Sequence, residues 1–258
     1  MTTELLPDPA DGLLGRGREL DRLRRCVDAG RHGPSTLIVS GAPGSGRTRL
    51  LAAAVRMALR AGPRRVLAVF DPSGPVRLAR SLTSEIDLLP DAQCAAARGG
   101  DPAALAAALI RAARSTPVLL AVDDAERSSP QTRDLLDRLV RGAPGVPITV
   151  LLTAGVDGLP AWADVVPSVV LPPRSPADAV RVLDAQPVRL PEQARAAILA
   201  RAAGSPAALV ALAAASVVGG PSGPRSGPAS GPRSGPASGP AGARATRPRI
   251  DLARVTAL

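Results

Sequence analysis

The chain has 258 residues, of which 45% are hydrophobic and only 1% aromatic, and its formal net charge is +10. This length suits one large domain or two small ones, and the scarcity of aromatic side chains argues against stacking platforms for single-stranded nucleic acid. All 32 basic residues are arginines, and residues 219–258 carry six of them against one aspartate. The remaining residues are therefore only mildly basic, so the high charge is weak evidence for nucleic-acid binding.

The cysteines and the apolar segments indicate a cellular compartment. Cys26 and Cys94 are isolated, which favours a reducing environment over a disulfide framework. Residues 1–12 lack the basic and apolar regions of a signal peptide. The longest apolar stretch, residues 206–218, is shorter than the roughly 20 residues that a membrane span needs. We therefore expect a cytoplasmic protein that has no membrane partner.

Strand and helix patterns alternate along the first two-thirds of the chain. The first helix opens at residues 13–18 and carries Leu20, Leu23 and Val27 at helical spacing, with Gly30 as a left-handed cap. Further strands are predicted at residues 36–40, 64–70, 117–124, 146–152 and 165–171, and further helices at 76–89, from Asp101-Pro102 and from Ser129-Pro130 to Gly142. This alternation predicts an α/β fold, a parallel sheet with helices on both faces.

A glycine-rich loop follows the first strand and precedes a helix that has Leu51, Val55 and Leu59 on one face. It fits the phosphate-binding template G-x-x-x-x-G-K-[ST] except that Arg47 replaces the lysine. Such a loop presents backbone N–H groups to an anion at the helix N-terminus. The alternative is a chance glycine turn. The residues predicted to bind the nucleotide are Gly41, Gly44, Ser45, Gly46, Arg47, Thr48 and Arg49.

Two carboxylates end the apolar run of residues 117–122. We predict that Asp123 holds Mg²⁺ together with the hydroxyl of Thr48, directly or through water. Asp124 is the candidate to orient or deprotonate the attacking water, and with Arg47 it forms the predicted catalytic pair. The alternative is that both aspartates simply cap the following turn. A glycine loop and an acidic strand end in one α/β pattern together favour a P-loop NTPase.

The pattern changes to short helices from Ser175 onward. They begin at Ser175-Pro176, Pro191 and Ser205-Pro206, and from Gly219 the sequence becomes a Gly/Pro/Ser/Arg-rich repeat with nothing to bury. We therefore predict a nucleotide-binding domain at residues 1–172, a helical lid at 173–218 and a disordered tail at 219–258.

The order of these motifs resembles the AAA-like signal-transduction (STAND) P-loop ATPases, in particular the N-terminal part of large ATP-binding LuxR-type bacterial transcriptional regulators. The resemblance covers roughly residues 13–215 and rests on Leu14-Gly15-Arg16, the glycine loop, residues 119–124 and Gly204-Ser205-Pro206. It implies ATP or ADP with Mg²⁺ as cofactors. It also implies that Gly15 and Arg16 help to enclose the adenine and that Pro206 contributes from the lid.

The chain departs from that family at two places. Arg47 has a planar guanidinium where the family has a compact ammonium, and Ala154-Gly155 stands where members usually carry an arginine or polar sensor. We therefore predict an ATP-binding regulatory switch domain with weak or absent hydrolysis, acting in signalling or transcriptional regulation.

Two other functions stay open at this point. One is a competent ATPase in which Arg47 replaces the lysine adequately, and the other is a degenerate scaffold that binds no nucleotide. We expect a protein partner or self-association. DNA binding by this chain is expected to be absent, or non-specific through the tail.

Overall fold

A computed structural model of the chain describes residues 13–62, 65–69, 101–142, 144–156 and 163–218. The strands are β1 (Ser35–Gly41), β2 (Arg65–Val69), β3 (Val118–Val122), β4 (Ile148–Ala154) and β5 (Ser168–Leu171). The helices are α1 (Gly17–Ala29), α2 (Arg47–Arg60), α3 (Pro102–Ser115), α4 (Pro130–Gly142), α5 (Pro176–Asp184), α6 (Glu192–Ala202) and α7 (Pro206–Val218). The predicted helix at residues 76–89, Cys94 and the predicted tail lie outside the described residues.

The strands form one parallel sheet in the order β2-β3-β4-β1-β5. Every residue of β3 and of β4 is buried, as expected for parallel strands that are covered on both faces. The carboxyl ends of β1, β3 and β4 meet at the same edge of the sheet, and ligands of such sheets bind at this edge. The predicted fold class is therefore confirmed.

Alternate residues of β3 point to opposite faces, and each face has its own core. Leu120 packs in a cluster with side chains of α3 and α4, including Leu109 and Leu136. Leu119 packs in a second cluster with side chains of α1 and α2, including Leu23 and Leu51. Each buried leucine contributes about 2 kcal/mol through removal of apolar surface from water. The two helix pairs therefore cover the two faces of β3.

The helices of the predicted lid pack on one another. Leu183 of α5, Ile198 of α6 and Leu209 of α7 form a third apolar cluster. The N-cap of α5 is Ser175, whose hydroxyl accepts from the N–H of Asp178, as the Ser-Pro pattern predicts. The residue boundaries of the predicted domains stay predictions. Among the described residues, no helix combines the length and apolar character required to cross a membrane.

Two predictions for the first two helices are wrong, one on the burial of Leu59 and one on the backbone of Gly30. Leu59 is 46% exposed, whereas Leu51 and Val55 are buried. Each step of four residues advances about 40° around a helix, so two steps carry Leu59 off the buried face. Gly30 has φ of −66° and is not a left-handed cap. It is small because an added Cβ would overlap the hydroxyl of Thr149.

Two strands begin more than one residue later than their sequence patterns predict, and both begin directly after a proline. The strand predicted at residues 146–152 starts at Ile148, and the strand predicted at 165–171 starts at Ser168. Pro147 and Pro167 lack the N–H that a strand needs, but their carbonyl groups accept from Val118 and Ile38. The apolar residues before each proline therefore lie outside the strands, and Val165 ends a short 3-10 helix, Ala163–Val165.

Candidate functional site

The glycine-rich loop carries the chain from β1 into α2. Gly44 and Gly46 have φ of +79° and +98°, in the left-handed region that glycine adopts without strain. Position 41 requires glycine for a different reason, which is lack of space. An added Cβ would lie 2.8 Å from Oγ of Ser45 and 3.1 Å from Cβ of Leu171. The sequence therefore has glycine at each place where this loop needs it to wrap the helix N-terminus.

Ser45 offers an unused hydrogen-bonding group inside this loop. Its side chain is buried, and Oγ has no hydrogen-bond partner among the described residues. Buried hydroxyl groups are normally satisfied by a protein partner, water or a ligand. A phosphate in the loop fits this unmet requirement.

Thr48 and Asp123 are brought together at the edge of the sheet. Oγ1 of Thr48 donates to Oδ2 of Asp123 at 2.8 Å. The two come from opposite sides of β4, whose Thr153 donates to the other oxygen of Asp123 and accepts from the N–H of Asp124 at 2.8 Å. Thr153 thus fixes both aspartates relative to the loop.

Burial of the Asp123 carboxylate makes its ionised form less favourable than it is in water. Burial raises the pKa of Asp123, and the hydroxyl groups of Thr153 and Thr48 offset part of this rise. The described residues contain no group of three or more His, Cys, Asp or Glu side chains that could hold a metal. Mg²⁺ suits this oxygen pair nevertheless, because it usually takes one or two carboxylates and completes its shell with phosphates and waters.

Arg47 is directed to two carboxylates. Its Nη2 donates to Oδ1 of Asp124 at 3.1 Å, and its Nη1 lies 3.7 Å from Oε1 of Glu126. The side chains of Arg47 and Asp124 are only 11% and 12% exposed. Asp124 has a φ of +47° and also lies 3.9 Å from Nη1 of Arg127. The cation at the template's lysine position is therefore held by acidic residues.

Gly155 lies against this ion-pair network. An added Cβ would be 3.4 Å from Oε1 of Glu126 and 3.6 Å from Nη1 of Arg47. Any side chain at the position where the family resemblance implies a sensor would therefore contact Arg47 and Glu126.

The sequence of the chain places it in a family. It matches the AAA ATPase domain over residues 12–152, which is more than half of its 258 residues. The chain belongs to the AAA ATPase domain family.

Solved structures share the fold of this AAA ATPase domain. Cdc6p from Pyrobaculum aerophilum has a TM-score of 0.55 and 16% identity, covering 71% of this chain and 51% of that one. Orc1 from Aeropyrum pernix, in complex with DNA, has a TM-score of 0.61 and 19% identity, covering 83% and 63%. RuvB from Thermotoga maritima has a TM-score of 0.51 and 16% identity, covering 81% and 63%.

These identities show a common fold and no more. The chain spans between 51% and 63% of the length of these three proteins. No curated protein sequence matches the chain.

The N-terminal segment of the AAA domain contacts the glycine loop. The guanidinium of Arg16, whose residue is only 3% exposed, donates to the carbonyl of Pro172 at 2.6 Å and to that of Ser45 at 3.5 Å. Gly15 has φ of +71°, and an added Cβ would overlap the carboxyl group of Asp178. Both residues therefore have structural roles beside the loop, and their predicted contact with adenine stays a prediction.

The helix α7 contacts the tip of the same loop. The N–H of Ala207 donates to the carbonyl of Gly44 at 3.2 Å. An added Cβ on Gly44 would lie 2.9 Å from Cβ of Ala207. Pro206, the predicted lid residue, is the first residue of α7 and precedes this contact directly. Arg49, by contrast, is exposed on α2.

Sequence patterns did not identify three residues of this region. Thr153 could have been found, because a polar residue near the carboxyl end of an apolar strand is a usual site signal. Glu126 lies beyond the strand and carries no such signal. Arg174 is buried, its guanidinium donates to the carbonyl of Leu14, and burial together with the charge of Arg16 lowers its pKa to about 10. Nothing in its sequence context indicates burial.

Proposed function

We propose that the chain is an ATP-binding regulatory switch domain with weak or absent ATP hydrolysis. The observation that carries this proposal is the pairing of Arg47 with Asp124 at 3.1 Å, beside the Thr48–Asp123 pair at 2.8 Å. The second pair favours binding of a nucleotide with its cation. The first engages both predicted catalytic groups with each other.

The binding part of the proposal rests on the loop. Its positive-φ glycines and the buried hydroxyl of Ser45 suit phosphate oxygens. Thr48 and Asp123 are the residues that would hold Mg²⁺, which neutralises phosphate charge when it is bound. In this proposal Gly15 and Arg16 enclose the adenine, and Pro206 approaches from the lid.

The weak-hydrolysis part rests on Arg47 and Asp124. Phosphoryl transfer depends on positioned cations at the phosphates and on a group that orients the attacking water. Arg47 lies against Asp124 and Glu126, and Asp124 also lies 3.9 Å from Arg127. Both groups must leave these partners before they can act on a nucleotide.

The regulatory part rests on the motif order that resembles LuxR-type regulators and on the contact of α7 with the loop tip. A switch needs an element whose position differs between two states, and the Ala207–Gly44 hydrogen bond at 3.2 Å connects α7 to the loop. We propose that the output is a contact with a protein partner or a second copy of the chain. DNA binding, if it occurs, is non-specific and is lost when residues 219–258 are deleted.

Calorimetry with ATP and ADP in the presence of Mg²⁺ tests binding, and phosphate release under the same conditions tests hydrolysis. We expect binding at micromolar nucleotide and little or no release. The matched variants are Asp124→Asn in the site and Asp134→Asn on the exposed face of α4. Turnover that is lost in the first variant and kept in the second would contradict weak hydrolysis.

The same measurements identify a competent ATPase, the second candidate. It is favoured by one observation, that Arg47 keeps a positive charge at the lysine position of the template. Absence of nucleotide binding in the folded protein would instead support a scaffold that works through protein contacts.

A further inference from the structure

We propose that Glu126 is a positioning residue that holds Arg47 on the carboxylate side of the site and thereby lowers the affinity for ATP. This inference rests on the proposed function of the site. It assigns a role to an acidic residue outside both sequence motifs.

The geometry joins Glu126 to the second nitrogen of Arg47. Nη2 of Arg47 is engaged by Asp124, whereas Nη1 is buried, makes no hydrogen bond to a described residue, and lies 3.7 Å from Oε1 of Glu126. Oε2 of Glu126 is also buried and lacks a hydrogen-bond partner within the described part of the chain. A small closure of this gap would satisfy Arg47 through two carboxylates at once.

The chemistry of arginine suits this arrangement and that of lysine does not. A guanidinium presents a planar fork of donors that can span two acceptors, whereas an ammonium is a compact point charge. Gly155 leaves room for the pair, because an added Cβ would lie 3.4 Å from Glu126 and 3.6 Å from Arg47. The substitution of the template lysine and the nearby acidic residue are therefore parts of one arrangement.

The charges indicate the direction of the effect. Arg47 lies beside Asp124 and Glu126, and Arg127 lies 3.9 Å from Asp124, so the charges of these four side chains sum to zero. Buried Asp123 interacts electrostatically with both Arg47 and Asp124. Phosphate oxygens in the loop compete with these carboxylates for Arg47. Removal of the charge of Glu126 frees one half of the guanidinium and removes a repulsion, so an anion should bind more tightly.

The test is a double-variant cycle in the full chain, with Kd measured by calorimetry for ATP with Mg²⁺ and for inorganic pyrophosphate. We expect Glu126→Gln to bind both ligands about fivefold more tightly than the unmodified chain, the scale of one partly exposed ion pair. In an Arg47→Lys background the same change should have less than half of this effect. Asp137→Asn, an exposed partner of Arg141 on α4, is the control and should leave Kd unchanged.

The cycle separates positioning from simple electrostatics. Loss of a negative charge acts equally in both backgrounds, whereas an effect through Arg47 needs the arginine. Equal tightening in both backgrounds overturns the inference, and so does a Kd within twofold of the unmodified chain. If Glu126→Gln does not fold, Glu126→Asp withdraws the carboxylate by one methylene and should tighten binding to a smaller degree.

The outcomes also separate this inference from the proposed function. Binding by the unmodified chain without tightening in Glu126→Gln supports the function and overturns the role of Glu126. Binding by Glu126→Gln alone supports the role of Glu126 and contradicts ATP binding by the resting chain. Absence of binding by both folded proteins overturns both.

Discussion

The hydroxyl of Thr48 donates to the carboxylate of Asp123 at 2.8 Å, although 75 residues separate the two in sequence. Their meeting follows from the sheet, because β1 and β3 end at the same edge with β4 between them. Thr153 of β4 fills the intervening position and donates to the same carboxylate. The position of the Asp123 carboxylate is thus set by β3, which precedes it, and by the hydroxyl groups that α2 and β4 provide.

The substitution Asp123→Asn should stabilise the fold. The raised pKa means that the charged carboxylate costs folding free energy at neutral pH, and this cost disappears as the pH falls below its ordinary value of 3.8. We expect the variant to gain about 1 kcal/mol at neutral pH, as is common when a buried charge at a proposed site is removed. Thermal unfolding from pH 4 to 8 measures this effect, and the gain should shrink toward the acidic end. The exposed Asp134→Asn is the control, and a lower melting temperature of Asp123→Asn at neutral pH would contradict the prediction.

Gly15→Ala should destabilise the domain by about 2 kcal/mol or more, because the left-handed backbone is strained by a Cβ. That Cβ would also overlap the carboxyl group of Asp178. Gly17→Ala is a matched control two residues away, since an added Cβ there meets nothing within 4 Å. It lies at the start of α1 and should be neutral or slightly stabilising. Chemical denaturation compares the two, and equal midpoints would show that the contact with Asp178 is unimportant.

Arg47→Lys should bind ATP more tightly or turn it over faster. A lysine cannot span Asp124 and Glu126, so its charge is more available to phosphates. We expect a change of about fivefold in Kd, the scale of one ion pair. Arg60→Lys at the exposed end of α2 is the control for general effects of the substitution. Weaker binding by Arg47→Lys would mean that the guanidinium itself contacts the nucleotide.

Gly46→Val should abolish nucleotide binding. Because Gly46 has φ of +98° and an added Cβ meets nothing within 4 Å, the expected damage comes from backbone strain at the start of α2. A β-branched residue at positive φ costs at least about 1–2 kcal/mol, enough to rearrange the loop. Gly33→Val, at an open position where φ is not left-handed, is the control. Calorimetry should detect binding by the Gly33 variant only.

Local chemistry made part of this structure predictable. The apolar run before Asp123 and the glycine spacing before Thr48 specify a strand end and a loop. Likewise Asp101 accepts from the N–H of Ala104, as a residue before a helix-starting proline should. Glu126 and Arg174 could not be predicted, because their roles come from contacts with distant segments. The prediction that Leu59 faces the core is wrong, because successive four-residue steps drift around the helix and carry Leu59 off the buried face.

The hydrogen bond from Ala207 to Gly44 joins the first turn of α7 to the tip of the glycine loop. The helix has 13 residues and begins at the loop tip, so its far end lies about 20 Å away along the axis. A tilt of roughly 10° at the near end would move the far end by about 3 Å over this length. In the proposed switch, a tilt of α7 that begins at the loop tip would present a displacement of this size to a partner protein.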